Sequence, residues 1–127
     1  MLVTDDENEM RTELALLLNN RGYNVQTAEN GKAAVGLIKK QEFDIMILDL
    51  KMPLMSGFDV LKYLNEKGSK IKTIVLTGSI LGSTLPDEEG MPQAEKKRIL
   101  KFADIVMNKP FNAVKLLESI KALSGRQ

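Results

Sequence analysis

Five side chains in this sequence have the types and spacing to act together on a phosphoryl group or a metal ion: the adjacent pair Asp5 and Asp6, then Asp49, Thr77 and Lys109. Two carboxylates about 4 Å apart repel by about 4 kcal/mol at an effective dielectric of 20. A shared proton or a captured cation must relieve that repulsion. A carboxylate at the edge of such a cation can attack phosphorus. An ammonium can pair first with that carboxylate and then with phosphoryl oxygens, and a hydroxyl can donate to them. Taken singly, each residue has an ordinary explanation. An Asp after a strand is commonly a turn former or a helix cap, a Lys is commonly solvated, and a Thr suits a strand. The five together at strand ends are harder to explain that way.

The chain has no histidine and no cysteine. This excludes a Ser-His-Asp triad, a Cys-His pair, imidazole- or thiolate-bound zinc and a disulfide framework. A metal here must be held by oxygen, which favours a hard cation such as magnesium.

Each of the five residues sits at the end of a short apolar run. The runs are Met1-Leu2-Val3-Thr4, Asn24-Val25-Gln26-Thr27, Ile45-Met46-Ile47-Leu48, Thr73-Ile74-Val75-Leu76 and Ile105-Val106-Met107. The third and fourth are almost wholly apolar, which marks parallel strands covered on both faces. Between the runs, apolar residues recur at helical spacing: Met10, Leu14, Leu17 and Leu18; Ala34, Leu37 and Ile38; Phe58, Leu61 and Leu64; Leu116, Leu117, Ile120 and Leu123. Ser56 with Asp59 reads as a capping box, Gly68 as a C-terminal cap and Asn112 as an N-cap. Residues 78–92 contain Gly78, Gly82, Pro86, Gly90 and Pro92 and read as a long loop, with a helix over 93–102 after it. Alternating strands and helices predict an α/β domain with right-handed crossovers. Ligands of such sheets bind beyond the carboxyl ends of the strands, where the five residues fall.

The 127 residues suit one domain, and 43% hydrophobic with 28% charged residues is an ordinary globular mixture. A net charge of +1 gives no basis for sequence-independent nucleic-acid binding. No apolar run approaches the roughly 18 residues of a membrane span, and no signal-peptide pattern is present. The expectation is a cytoplasmic protein.

The segments Leu2-Val3-Thr4-Asp5-Asp6-Glu7, Asp44 through Pro53, Ser56-Gly57-Phe58-Asp59, Ile74-Val75-Leu76-Thr77-Gly78 and Asn108-Lys109-Pro110-Phe111 resemble the receiver domain of bacterial two-component response regulators over essentially the whole chain. The resemblance implies one doubly wound (βα)5 domain over 1–127, flavodoxin-like, with a parallel five-stranded sheet in the order 2-1-3-4-5 and helices on both faces. Asp49 is then the phosphoacceptor. Magnesium or manganese is held by Asp5, Asp6, Asp49 and the backbone carbonyl of Lys51. Lys109 binds the phosphoryl group, Thr77 moves toward it, and Gly78 leaves room beside it.

The resemblance also implies a sensor histidine kinase or a histidine phosphotransfer protein as donor, and an output domain or target protein as receiver of the signal. The output surface would lie over the fourth helix, the fifth strand and the fifth helix. A phosphorylation-dependent dimer is left open, as is whether the chain stands alone or was trimmed from a longer protein. No direct contact with nucleic acid or membrane is expected.

Two features depart from the family pattern. Val106 occupies a position where an aromatic residue often swings in concert with the threonine. The stretch from Thr77 to Lys109 is roughly ten residues longer than usual, with the surplus in the Gly/Pro-containing loop, a change that costs little stability. Lys51 and Ser79 flank the mouth of the site and are expected to tune access of hydrolytic water. Two rival readings remain. A haloacid-dehalogenase-type phosphatase would need an acid two residues after Asp49, where Lys51 stands. A receiver-like docking module that has lost phosphorylation would usually lack the acceptor, the acid pair or the lysine.

Overall fold

The computed structural model describes residues 1–78 and 92–124. Most of the predicted 78–92 loop, including Ser79, lies outside the described residues. The elements are β1 (Leu2–Thr4), α1 (Asn8–Asn20), β2 (Gln26–Ala28), α2 (Gly31–Lys40), β3 (Ile45–Asp49), α3 (Gly57–Glu66), β4 (Lys72–Thr77), α4 (Gln93–Leu100), β5 (Ile105–Asn108) and α5 (Ala113–Ser124). All strand pairs are parallel, and the sheet order is β2-β1-β3-β4-β5, as expected.

Strand alternation divides the core into two layers. Ile45 and Ile47 of β3 join Val3, Ile74 and Leu76 beneath α1 and α5, which contribute Leu14, Leu18, Leu116 and Ile120. Met46 and Leu48 point the other way, toward Ala34 of α2, Phe58, Val60, Leu61 and Leu64 of α3, and Ile99 and Leu100 of α4. Each of the larger side chains contributes roughly 1.5–3 kcal/mol when fully buried. The apolar runs of β3 and β4 are therefore continuous because both of their faces are covered.

The predicted helix caps are present with their chemistry. Asn112 accepts the Lys115 N–H at 3.1 Å. Asn30 is a further N-cap, accepting the Ala33 N–H at 2.8 Å. Ser56 and Asp59 form a reciprocal capping box, and Gly68 has φ +63°. Several boundaries shift by one or two residues from the sequence reading, among them the following. β1 begins at Leu2, although Met1 still accepts the Gln26 N–H at 2.9 Å. β2 begins at Gln26, two residues late, although the Asn24 carbonyl still accepts from the N-terminal ammonium at 2.9 Å. α4 ends at Leu100. The turn after it packs Phe102 on the core and lets Asp104 accept the Thr73 N–H at 2.8 Å.

Two glycines allow close packing at the end of β3 and the turn that follows it. A Cβ on Gly57 would collide with the Asp49 carbonyl, and one on Gly31 with the Met55 carbonyl. α3 can therefore start directly against the end of β3, with Gly57 donating to the Leu50 carbonyl at 2.8 Å. Between them the chain makes a tight turn in which Met55 N–H reaches Pro53 O at 2.7 Å and Leu54 takes φ +68°. That arrangement is strained for a side chain with a Cβ. No helix among the described residues is long and apolar enough to cross a membrane.

Candidate functional site

The parallel register carries β1, β3, β4 and β5 to a common edge. Thr4 pairs with Leu48, Asp49 with Leu76, and Thr77 with Asn108. Asp5 therefore emerges beside Asp49, and Lys109 follows directly after β5. The Lys109 N–H donates to the Thr77 carbonyl at 2.8 Å, extending the β4–β5 ladder by one bond, and the Lys109–Pro110 peptide is cis.

The structure brings the predicted charged residues together. One carboxylate oxygen from each of Asp5, Asp6 and Asp49 lies within 4.8 Å of the others. Asp5 and Asp49 are buried and Asp6 is exposed. The Lys109 Nζ lies 3.2 Å from Asp5 Oδ2 and 3.5 Å from Asp49 Oδ1. Sequence reasoning paired this lysine with Asp49; the structure shares it between two carboxylates, with Asp5 the nearer. Thr77 is buried at the same edge, while Lys51 is exposed two residues beyond Asp49. A Cβ on Gly78 would meet nothing within 4 Å, so packing among the described residues does not enforce glycine there.

Electrostatics follow from this crowding. Burial pushes the Asp49 carboxyl up to about 6, the Lys109 ammonium opposes that, and the neighbouring Asp5 and Asp6 carboxylates add to it. Burial disfavours the Lys109 ammonium, but Asp49 and Asp5, with Glu7, outweigh it and hold its pKa above the ordinary value. A group of acids that raises the pKa of one member suits an added cation. The donor set is carboxylate oxygen without imidazole or thiolate, which fits a hard divalent ion.

The sequence profile of the response regulator receiver domain matches residues 1–121. The chain belongs to that family. Its relatives include response regulator RR06 of Streptococcus pneumoniae, 38% identical over 126 residues, covering 99% of this chain and 53% of that protein. The cell cycle response regulator CtrA of Brucella ovis is 35% identical over 128 residues, covering 99% of this chain and 50% of CtrA. This receiver domain thus spans about half the length of the curated relatives it matches. Among solved structures, response regulator TrrA of Thermotoga maritima, in complex with Mg2+-BeF, superposes with a TM-score of 0.77 at 33% identity, covering 96% of each chain. The Francisella response regulator 1452 receiver domain gives 0.81 at 26% identity, covering 98% of this chain and 94% of that one.

Val106 pairs in register with the fully buried Val75 yet is 41% exposed, so β5 is only partly covered at this position.

Sequence reasoning missed one residue of this receiver domain. Arg11 donates from Nη1 to the Asp5 carbonyl and from Nη2 to Asn8 Oδ1, each at 2.8 Å. A signal was available: an arginine in the first turns of a helix is out of place, since the helix dipole favours acids there.

Proposed function

We propose that this receiver domain is a phosphorylation-activated switch whose acceptor is Asp49. The observation that carries the reading is the convergence of Asp5, Asp6 and Asp49 within 4.8 Å, with Lys109 bridging two of them. Asp5, Asp6, Asp49 and the Lys51 backbone carbonyl would hold Mg2+ or Mn2+. When bound, that cation supplies charge neutralisation for the carboxylates and for phosphoryl oxygens.

An Asp49 oxygen attacks the phosphorus of a phosphohistidine on a sensor histidine kinase or a histidine phosphotransfer protein. The O–P bond forms as the P–N bond breaks, and the imidazole nitrogen keeps the electron pair. Lys109, already 3.5 Å from Asp49 Oδ1, steadies the developing charge. Its second partner, Asp5, keeps the ammonium in place before transfer. Water later attacks phosphorus, releasing inorganic phosphate and restoring the Asp49 carboxylate. The domain thus promotes its own modification and reset, in the cytoplasm, and turns over no separate substrate.

The new dianion offers charge-assisted bonds to Lys109 and Thr77. Moving a two-state balance from 1:99 to 99:1 takes about 5.5 kcal/mol, within reach of a few such bonds. The change would be read by an output domain or a separate target, or through a dimer, over α4, β5 and α5. With Val106 in the aromatic position, coupling would run through Thr77 without a swinging ring.

The test is reaction with acetyl phosphate and Mg2+, followed by intact mass. Wild type gains one phosphoryl group, and neither Asp49→Asn nor EDTA-treated wild type does. Phosphorylation of Asp49→Asn to the wild-type extent, or none in wild type with Mg2+ present, overturns the assignment.

A further inference from the structure

Resting on that reading of the acidic site, we propose that Arg11 is a positioning residue that sets the site's affinity for its divalent cation by clamping the β1–α1 turn.

Asp6 is exposed, so its placement depends on the backbone on either side. On one side, the Asp5 carbonyl accepts from Arg11 Nη1 and the Asp5 N–H donates to Ala28 O at 3.2 Å. On the other side, the Glu7 N–H donates to Asp5 Oδ1 at 2.9 Å. The remaining Asp5 oxygen accepts from Lys109. Every polar atom of Asp5 is therefore held by protein, and Arg11 supplies the bond that ties the turn to α1.

Helix α1 lacks the usual alternative. Its N-cap, Glu7, makes no side-chain capping bond. The guanidinium of Arg11 instead spans two acceptors, the carbonyl before the helix and the Asn8 side chain within it. A planar fork offers two donor nitrogens, Nη1 and Nη2, at a fixed separation; an ammonium carries the charge but offers its donors from a single atom.

Charge alone predicts the opposite sign. A cation near a metal site repels the metal, so neutralising Arg11 should tighten binding if electrostatics ruled. Loss of a group that orients metal-binding residues typically weakens affinity 10- to 100-fold. The two accounts therefore separate cleanly.

The experiment is titration of the full 127-residue chain with MgCl2 alone, followed by calorimetry and amide chemical shifts. Wild type is compared with Arg11→Met, Arg11→Lys and Arg21→Met, the last a control at the far end of α1. The Kd for Mg2+ is expected to rise about tenfold in Arg11→Met and by a similar factor in Arg11→Lys, and to stay unchanged in Arg21→Met. In the acetyl phosphate reaction the half-saturating Mg2+ concentration should rise while the rate at saturating Mg2+ holds. A merely destabilised protein would lose reactive fraction without moving that midpoint. Unchanged or tighter Mg2+ binding by Arg11→Met, or full rescue by Arg11→Lys, overturns the clamp and leaves the phosphorylation reading standing. Absence of Mg2+ binding by wild type counts against the acidic site itself.

Discussion

The β1–α1 and β3–α3 turns each deliver carboxylate to the same site, but they are built in opposite ways. The first is held by side chains: Arg11 and Lys109 converge on Asp5, and the Asp5 carboxylate turns back to its own chain at Glu7. The second is shaped by backbone, through Gly57 pressed on the Asp49 carbonyl and Leu54 at φ +68°. Asp5 has both carboxylate oxygens engaged with nitrogen donors, whereas the Lys109 ammonium stands farther from Asp49, 3.5 Å from its Oδ1. The contrast suits the proposed roles. A residue that helps to hold a cation gains from being fixed. A nucleophile needs a fixed strand beneath it and looser ties at its oxygens.

The strongest way to break the comparison is to crowd the backbone-shaped turn. In Gly57→Ala the new methyl meets the Asp49 carbonyl and the Leu50 Cα, which lies at 2.7 Å, and neither can rotate away. A loss of about 3 kcal/mol is expected from such overpacking, together with slower phosphorylation as Asp49 is displaced. Urea denaturation checks the first effect and acetyl phosphate kinetics the second. A change under about 0.5 kcal/mol, the level of ordinary surface substitutions, would show that the turn yields freely.

A smaller effect comes from the charge that the turns force together. Asp49 titrates near 6 in the folded chain against an ordinary value of 3.8. Between about pH 4 and 6 the folded state then binds more protons than the unfolded state, so stability falls as pH rises through that window. The full contribution is present below pH 4 and gone above about pH 6. Without divalent cation the loss is of order 2 kcal/mol. Asp49→Asn should flatten this part of the profile and be the more stable protein at pH 7.5, while saturating Mg2+ should stabilise wild type by mass action. Urea midpoints across pH 4–8 in EDTA, for both proteins, check it. Parallel profiles would mean that Asp49 is not the strained acid.

Much of this was legible in the residues, for reasons that differ by region. The central strands announced themselves because burial on both faces demands continuous apolar runs, as in Ile45 through Leu48. The edges were harder. β2 carries polar Gln26, half-buried, and Thr27, exposed, so composition alone did not fix where pairing begins. The end of α4 depended on Asp104 reaching Thr73 on β4, a contact remote in sequence. The site residues were visible as types at strand ends. The sharing of Lys109 between Asp5 and Asp49 depends on side-chain reach in the folded state. The role of Arg11 depends on a carbonyl, which carries no sequence letter. Ser79 and the surplus after Thr77 fall largely outside the described residues.

The smallest effect sharpens the side-chain-held turn. Its one unmatched group among the described residues is the hydroxyl of Thr4, just before Asp5, which is buried with no hydrogen-bond partner. Thr4 is 1% exposed and lies between Ala28 and Leu48, its register partners on either side. Alternation along β1 places it on the same face as Leu2, in the layer beneath α2 and α3. A buried hydroxyl without a partner carries a desolvation cost of roughly 1–3 kcal/mol, part of which the unfolded chain avoids. Valine has the same branched shape and a strand preference at least as strong. Thr4→Val should therefore raise stability by about 1 kcal/mol and leave Mg2+ affinity and the phosphorylation rate as they were. Urea denaturation with a parallel Mg2+ titration checks both halves. A loss of stability would mean that the hydroxyl has a bonding partner after all. A gain accompanied by weaker Mg2+ binding would mean that the Asp5 turn is set from β1 as well as from Arg11.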